Sequence, residues 1–155
     1  MYELVTLSPS SKAAIVLGAS KFRKSPGLNR AGFFASATDF VSYLLDGRLF
    51  ALPNNNLLNL FDSELSPGDQ LEKISDFLDE YLQRAADKIS DIVLYYVGHG
   101  GFVGINKEYC LTIASTKEGS EGSSATRGLT PSKQQFPWLI ACVILNLCLR
   151  RAPKS

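Results

Sequence analysis

The order of strand-like and helix-like segments predicts an α/β domain with a mostly parallel sheet and helices on both faces. Three observations carry this prediction. Ile92-Val-Leu-Tyr-Tyr-Val97 is an unbroken run of β-favouring apolar residues, the pattern of a strand buried on both sides. Lys12-Ala-Ala-Ile-Val-Leu-Gly18 is a second short apolar run, closed by a glycine. Between these runs lie two segments whose apolar residues recur at helical spacing.

After the first strand comes a basic, Pro- and Gly-containing loop from Ser20 to Arg30. Phe33, Phe34, Ala37, Phe40, Val41, Leu44 and Leu45 then form one helical face, with Gly47 just past its end. Leu52-Pro-Asn-Asn-Asn56 is a turn, and Leu57 to Phe61 a second strand. Ser66-Pro-Gly-Asp69 opens the next helix: Ser66 suits the cap, Pro67 the first turn, and Asp69 the capping-box position. Its apolar stripe is Leu71, Ile74, Leu78, Tyr81, Leu82 and Ala85. Beyond the central strand at Ile92, Tyr109 to Ile113 is read as a short strand and Lys117 to Gly128 as a loop.

The chain of 155 residues, 45% hydrophobic, fits one domain able to bury roughly 70% of its unfolded surface. Its formal charge of +1 supplies no field for nucleic acid or an anionic membrane, and neither is an expected partner. The longest apolar run, Trp138 to Leu149, is about 12 residues against the ~20 that span a bilayer, and is read as core. No signal-peptide core is visible near Glu3, and the three cysteines follow no disulfide or metal spacing, so a cytoplasmic, reduced setting is expected. All fifteen acidic residues lie at or before Glu121, while Arg127, Lys133, Arg150, Arg151 and Lys154 continue the basic set. This break divides the chain into a domain over 12–129 and an acid-free tail over 130–155, where Pro131 and Pro137 stand where a crossover helix is usual.

His99 is the one histidine, and it follows the central strand directly, between Gly98 and Gly100. Chemistry in open α/β sheets collects at the carboxyl ends of strands, which makes this imidazole the candidate general base. A solvated histidine in a glycine turn is the plainer alternative. A metal centre lacks ligands at any recognised spacing, and Gly18-Ala-Ser-Lys-Phe22 is neither a dinucleotide fingerprint nor a Walker loop, so no metal and no cofactor are expected. Asp62 alone ends the second strand, which discounts a phosphate-receiver site. The Gly98-His-Gly-Gly101 segment has the flavour of a lipase oxyanion loop, yet no G-x-S-x-G elbow and no second histidine accompany it. A cysteine nucleophile remains. Cys148 follows His99 by about 50 residues, the separation of histidine and cysteine in caspases. Cys142 falls in mid-strand and Cys110 on the wrong segment.

From about Lys12 to Arg127 the chain resembles the large catalytic subunit of bacterial caspase-like cysteine peptidases, relatives of caspases and metacaspases. The resemblance runs through Ala14-Ile-Val-Leu-Gly-Ala-Ser-Lys-Phe22, the Phe34 to Leu45 helix, Leu60-Phe-Asp-Ser63 and above all Tyr95-Tyr-Val-Gly-His-Gly-Gly101. It implies a three-layer caspase-like fold, incomplete at the C-terminus, and a cysteine-type endopeptidase that cleaves protein or peptide substrates through a Cys–His dyad without metal or cofactor. His99 is then the general base and acid, and Gly100 supplies an oxyanion N–H. The tail departs from the family pattern, in which the nucleophile strand reads apolar residues, Asp, any residue, Cys. Here Asn146 replaces the aspartate and Leu149-Arg150 follows Cys148. Cys148 is thus read both as the nucleophile, on a strand from about Val143 laid parallel beside Ile92–Val97, and as a small hydrophobe ending a core strand. The second function class is a truncated or catalytically dead caspase-like module that acts by binding partners. A shifted reading frame after about Arg127 is one origin for such a tail, and an unprotected sheet edge and apolar tail lead to the expectation of self-association and little peptidase activity.

Overall fold

The structure is a computed structural model and describes residues 12–85, 90–103, 105, 108–117, 126–127 and 139–147. In chain order the elements are β1 (Lys12–Gly18), α1 (Ala31–Leu45), β2 (Leu57–Asn59), α2 (Pro67–Ala85), β3 (Ser90–Gly98), β4 (Gly100–Val103), β5 (Glu108–Leu111), β6 (Thr126–Arg127) and β7 (Leu139–Leu147). One sheet has the order β2-β1-β3-β7 and a second the order β4-β5-β6. In the first, β1 is flanked by two parallel neighbours: Ala14 stands opposite Leu57 of β2, and Lys12 through Gly18 opposite Asp91 through Val97 of β3.

The chain leaves β1 toward one side of the sheet through α1 and crosses to the other side through α2. Right-handed crossovers in opposite directions put their helices on opposite faces, and the packing follows this rule. Alternate residues of the strands divide accordingly. Ala14, Val16, Val93, Tyr95 and Val97 meet Ala37, Leu44 and the half-buried Phe33, Phe40 and Val41 of α1. Ala13, Ile15, Leu17, Ile92 and Tyr96 meet Tyr81 and the half-buried Ile74, Phe77, Leu78 and Leu82 of α2. Phe40 stacks on Tyr95 with ring centroids 4.0 Å apart. Full burial of a side chain such as Ile15, Val16, Leu17 or Ile92 stabilises the fold by roughly 1.5–3 kcal/mol, so the two continuous runs β1 and β3 anchor both faces. The fold is therefore α/β, with three parallel strands between the two helices.

The predicted helix start at Ser66 forms a capping box. The Asp69 N–H donates to Ser66 Oγ at 3.2 Å, and the Ser66 N–H donates back to Asp69 Oδ2 at 3.3 Å. The second strand stops at Asn59, short of the Phe61 expected from the sequence.

Three expectations are corrected. The strand centred on Val143-Ile-Leu145 lies beside β3, but antiparallel to it: Ser90 faces Leu147 and Gly98 faces Leu139. A parallel neighbour needs a crossover that returns the chain to the start of β3. Here β4, β5 and β6 all lie at the Gly98 end, with Leu111 opposite both Gly100 and Thr126, and β7 begins at that end too, with Leu139 opposite Gly98. Secondly, Gly100–Val103, not read as a strand from the sequence, is one, paired with β5. Thirdly, the segment read as a loop from Lys117 to Gly128 contributes Thr126–Arg127 to that small sheet. Among the described residues no helix is long and apolar enough to cross a membrane.

Candidate functional site at the carboxyl end of the central strand

The site begins with the closeness of β1 and β3 at their carboxyl ends. Gly18 has φ +118°, and a Cβ there would lie 1.9 Å from the carbonyl oxygen of Val97, so only glycine lets the chain leave β1 at this point. The next N–H, of Ala19, donates to that same Val97 oxygen at 3.2 Å. The loop that follows is fixed from outside and from within. Asp62, itself at φ 56°, accepts the Ser20 N–H at 2.6 Å and the Lys21 N–H at 3.1 Å on Oδ1, and the Ser20 hydroxyl at 2.7 Å on Oδ2. The Phe22 N–H donates to Asn29 Oδ1 at 2.7 Å, the Leu28 N–H to the Ser25 oxygen at 3.0 Å, and the Arg30 N–H to the Ser20 oxygen at 3.0 Å. Phe22 is thereby buried in a small cluster with Ala19 and Ala114, against Leu28.

This braced loop forms one wall for His99. The imidazole Nε2 lies 2.7 Å from the carbonyl oxygen of Leu28. A carbonyl has no proton to give, so Nε2 carries the hydrogen and donates it, and in the neutral ring Nδ1 is left as the acceptor. Two rings flank the imidazole: Phe22 at a centroid distance of 5.7 Å, tilted, and Phe33 of α1 at 5.1 Å, edge to face. His99 is half-buried. It lies on the α1 side, as does the Val97 side chain two residues before it.

The backbone of His99 is held as firmly as its ring. Its carbonyl accepts the Thr112 N–H at 3.0 Å, the Thr112 hydroxyl at 2.8 Å and the hydroxyl of Tyr96. Thr112 stands opposite His99 in the register that pairs Gly100 with Leu111. In an antiparallel ladder hydrogen-bonded and non-hydrogen-bonded pairs alternate, so Gly100 and Leu111 form a non-hydrogen-bonded pair and the Gly100 N–H faces away from β5. An imidazole whose tautomer is fixed by the Leu28 carbonyl, next to an N–H outside the β4–β5 ladder, can accept a proton at one point and donate a hydrogen bond at another.

The structure places His99 and Gly100 in this way, and of the three cysteines Cys110 and Cys142 lie among the described residues. Cys110, of β5, is buried opposite Gly101, a setting of inert structural cysteines. Cys142 pairs with Tyr95 within β7. Cys148 lies outside the described residues; the strand leading toward it ends at Leu147, opposite Ser90, the end of β3 remote from His99. No group of three or more His, Cys, Asp or Glu able to hold a metal ion occurs among the described residues.

Several residues that shape the site escape a reading of the sequence. The Leu28 acceptor is a backbone carbonyl, which leaves no mark on the side-chain pattern. Phe33 reads as an ordinary position on a helix face, Phe22 as part of a basic loop, and Thr112 as part of a short strand. Asp62 gives a faint signal, an acid directly after a short apolar strand. Compared with protein-family models, curated proteins and solved structures, the chain has no match.

Proposed function

We propose that this chain carries the histidine half of a caspase-like cysteine endopeptidase site, on a three-layer fold of that type, with His99 as general base and acid and the Gly100 N–H as an oxyanion donor. The observation that carries the reading is the ring of His99: Nε2–H on the Leu28 carbonyl, flanked by Phe22 and Phe33, with Nδ1 left to accept a proton. In such a reaction Nδ1 takes the thiol proton as sulfur attacks the peptide carbonyl, and returns it to the leaving amine. The substrate is a protein or peptide, and no metal or cofactor takes part in this proton transfer.

A second reading, a caspase-like module that binds partners without catalysis, has one observation in its favour. The antiparallel course of β7 directs the chain toward Cys148 away from His99. The two readings separate in one pair of assays on the full chain, hydrolysis of peptide libraries and residue-resolved alkylation by iodoacetamide. Turnover lost in both His99→Ala and Cys148→Ala supports the peptidase. Absence of turnover together with equal Cys148 alkylation in wild type and His99→Ala rejects it in favour of the binding module.

A further inference from the structure

The hydroxyl of Tyr96 is the polar tip of a side chain only 2% exposed. It sits where the backbone passes from β3 to β4, donating to the His99 carbonyl and lying 2.9 Å from the Thr112 carbonyl. Two further contacts converge on the His99 oxygen, from the Thr112 N–H and the Thr112 hydroxyl. Gly98 completes the group, because a Cβ at that position would lie 2.6 Å from Tyr96 Oη and 3.0 Å from its ring carbon. Tyr96 belongs to the core on the α2 side of the sheet, whereas the His99 ring packs on the α1 side. Its phenol thus reaches from one face of the sheet to the peptide that orients a ring on the other.

We infer that Tyr96, Thr112 and Gly98 form a positioning clamp that fixes the His99–Gly100 peptide, so that the ring keeps its bond to Leu28 and the Gly100 N–H stays outside the ladder. The inference rests on the proposed role of His99 as general base. Tyr96 touches no reacting atom and acts through the backbone of His99. A buried hydroxyl with one proton to donate is costly to leave without an acceptor, and the His99 carbonyl supplies one, which makes one arrangement of the peptide strongly preferred. The pairing with Gly98 has a consequence of its own. Any residue larger than glycine there competes with the phenol for the same space.

The clamp is tested by NMR on the full chain, which contains a single histidine, through hydrogen exchange of the imidazole Nε2–H and the Thr112 amide. In Tyr96→Phe both protons are expected to exchange at least about tenfold faster, because each tenfold step corresponds to ~1.4 kcal/mol, the scale of one hydrogen bond. Amides in the middle of β1 should change less, which separates loss of the clamp from general loosening. Tyr43→Phe on the exposed side of α1 is the control and should leave the site protons unaffected. Unchanged Nε2–H and Thr112 exchange in a folded Tyr96→Phe would overturn the clamp while leaving His99 as a candidate base. If wild type itself lacks a protected Nε2–H, the geometry of the base fails and the clamp with it. Should Tyr96→Phe not fold, Thr112→Val and Gly98→Ala decide, since each disturbs the same peptide without emptying the core; faster Nε2–H exchange in both upholds the clamp and wild-type exchange in both rejects it.

Discussion

Asp62 secures the loop after β1 in the way that the Leu28 carbonyl secures His99. Its carboxylate accepts the Ser20 N–H, the Lys21 N–H and the Ser20 hydroxyl, and hydrogen bonds to a charged group contribute about 1.5–3 kcal/mol. Asp62→Ala should lower stability by about 2 kcal/mol in denaturant unfolding. Asp62→Asn should cost less, since asparagine tolerates the φ of 56° and keeps one acceptor oxygen. Equal losses in the two variants would mean that the backbone conformation, and not the acceptor set, is what matters. At Gly18 the φ of +118° and the 1.9 Å approach to Val97 predict that Gly18→Ala destabilises by on the order of 3 kcal/mol or more. The sequence marks Gly18 as a strand end and His99, by its uniqueness and position, as the candidate reactive group. It cannot mark Leu28, because an acceptor on the main chain is available at every residue and only the fold selects one.

The elements were legible where a local rule decides them. The α2 start is an example: the capping box depends on Ser66 and Asp69 alone, and Ser66→Ala should cost about 1 kcal/mol. The turn after α1 shows the same local control. The Arg48 side chain, and then its N–H, hold Asp46 below the usual carboxylate range. A lowered folded pKa gives stability that is present above the unfolded value near ~3.9 and is lost as pH falls through the folded one. Asp46 is half-buried but its partner Arg48 is exposed, so solvent screens the pair and Asp46→Asn should flatten the acid limb of the unfolding curve only slightly. Strand β4 was missed because Gly100 and Gly101 have no strand propensity; their pairing is set by the partner strand, Glu108–Leu111. The direction of β7 was missed for a related reason. An apolar run states that a strand is buried but not which way it runs, and here the location of the β4–β6 sheet decides.

At the scale of the whole molecule, α1 and α2 on opposite faces of β2-β1-β3 follow from chain order and crossover handedness. The register of β7 can be checked by cross-linking. Tyr95 stands directly opposite Cys142, and facing residues of an antiparallel pair are ~4.5–5.5 Å apart at Cα, within reach of a disulfide. Tyr95→Cys with Cys110→Ser and Cys148→Ser should therefore oxidise to an intramolecular bond with Cys142. A chain that stays reduced, while folded, would speak for another register or direction. His99, proposed as the base, is held with its proton on Nε2 against the Leu28 carbonyl and Nδ1 as the acceptor. With a single histidine in the chain, ¹⁵N chemical shifts of the neutral imidazole report on this directly. The geometry predicts one Nε2–H tautomer, with Nδ1 at the shift of an unprotonated ring nitrogen. A proton on Nδ1, or the averaged shifts of a ring exchanging freely between tautomers, would contradict it.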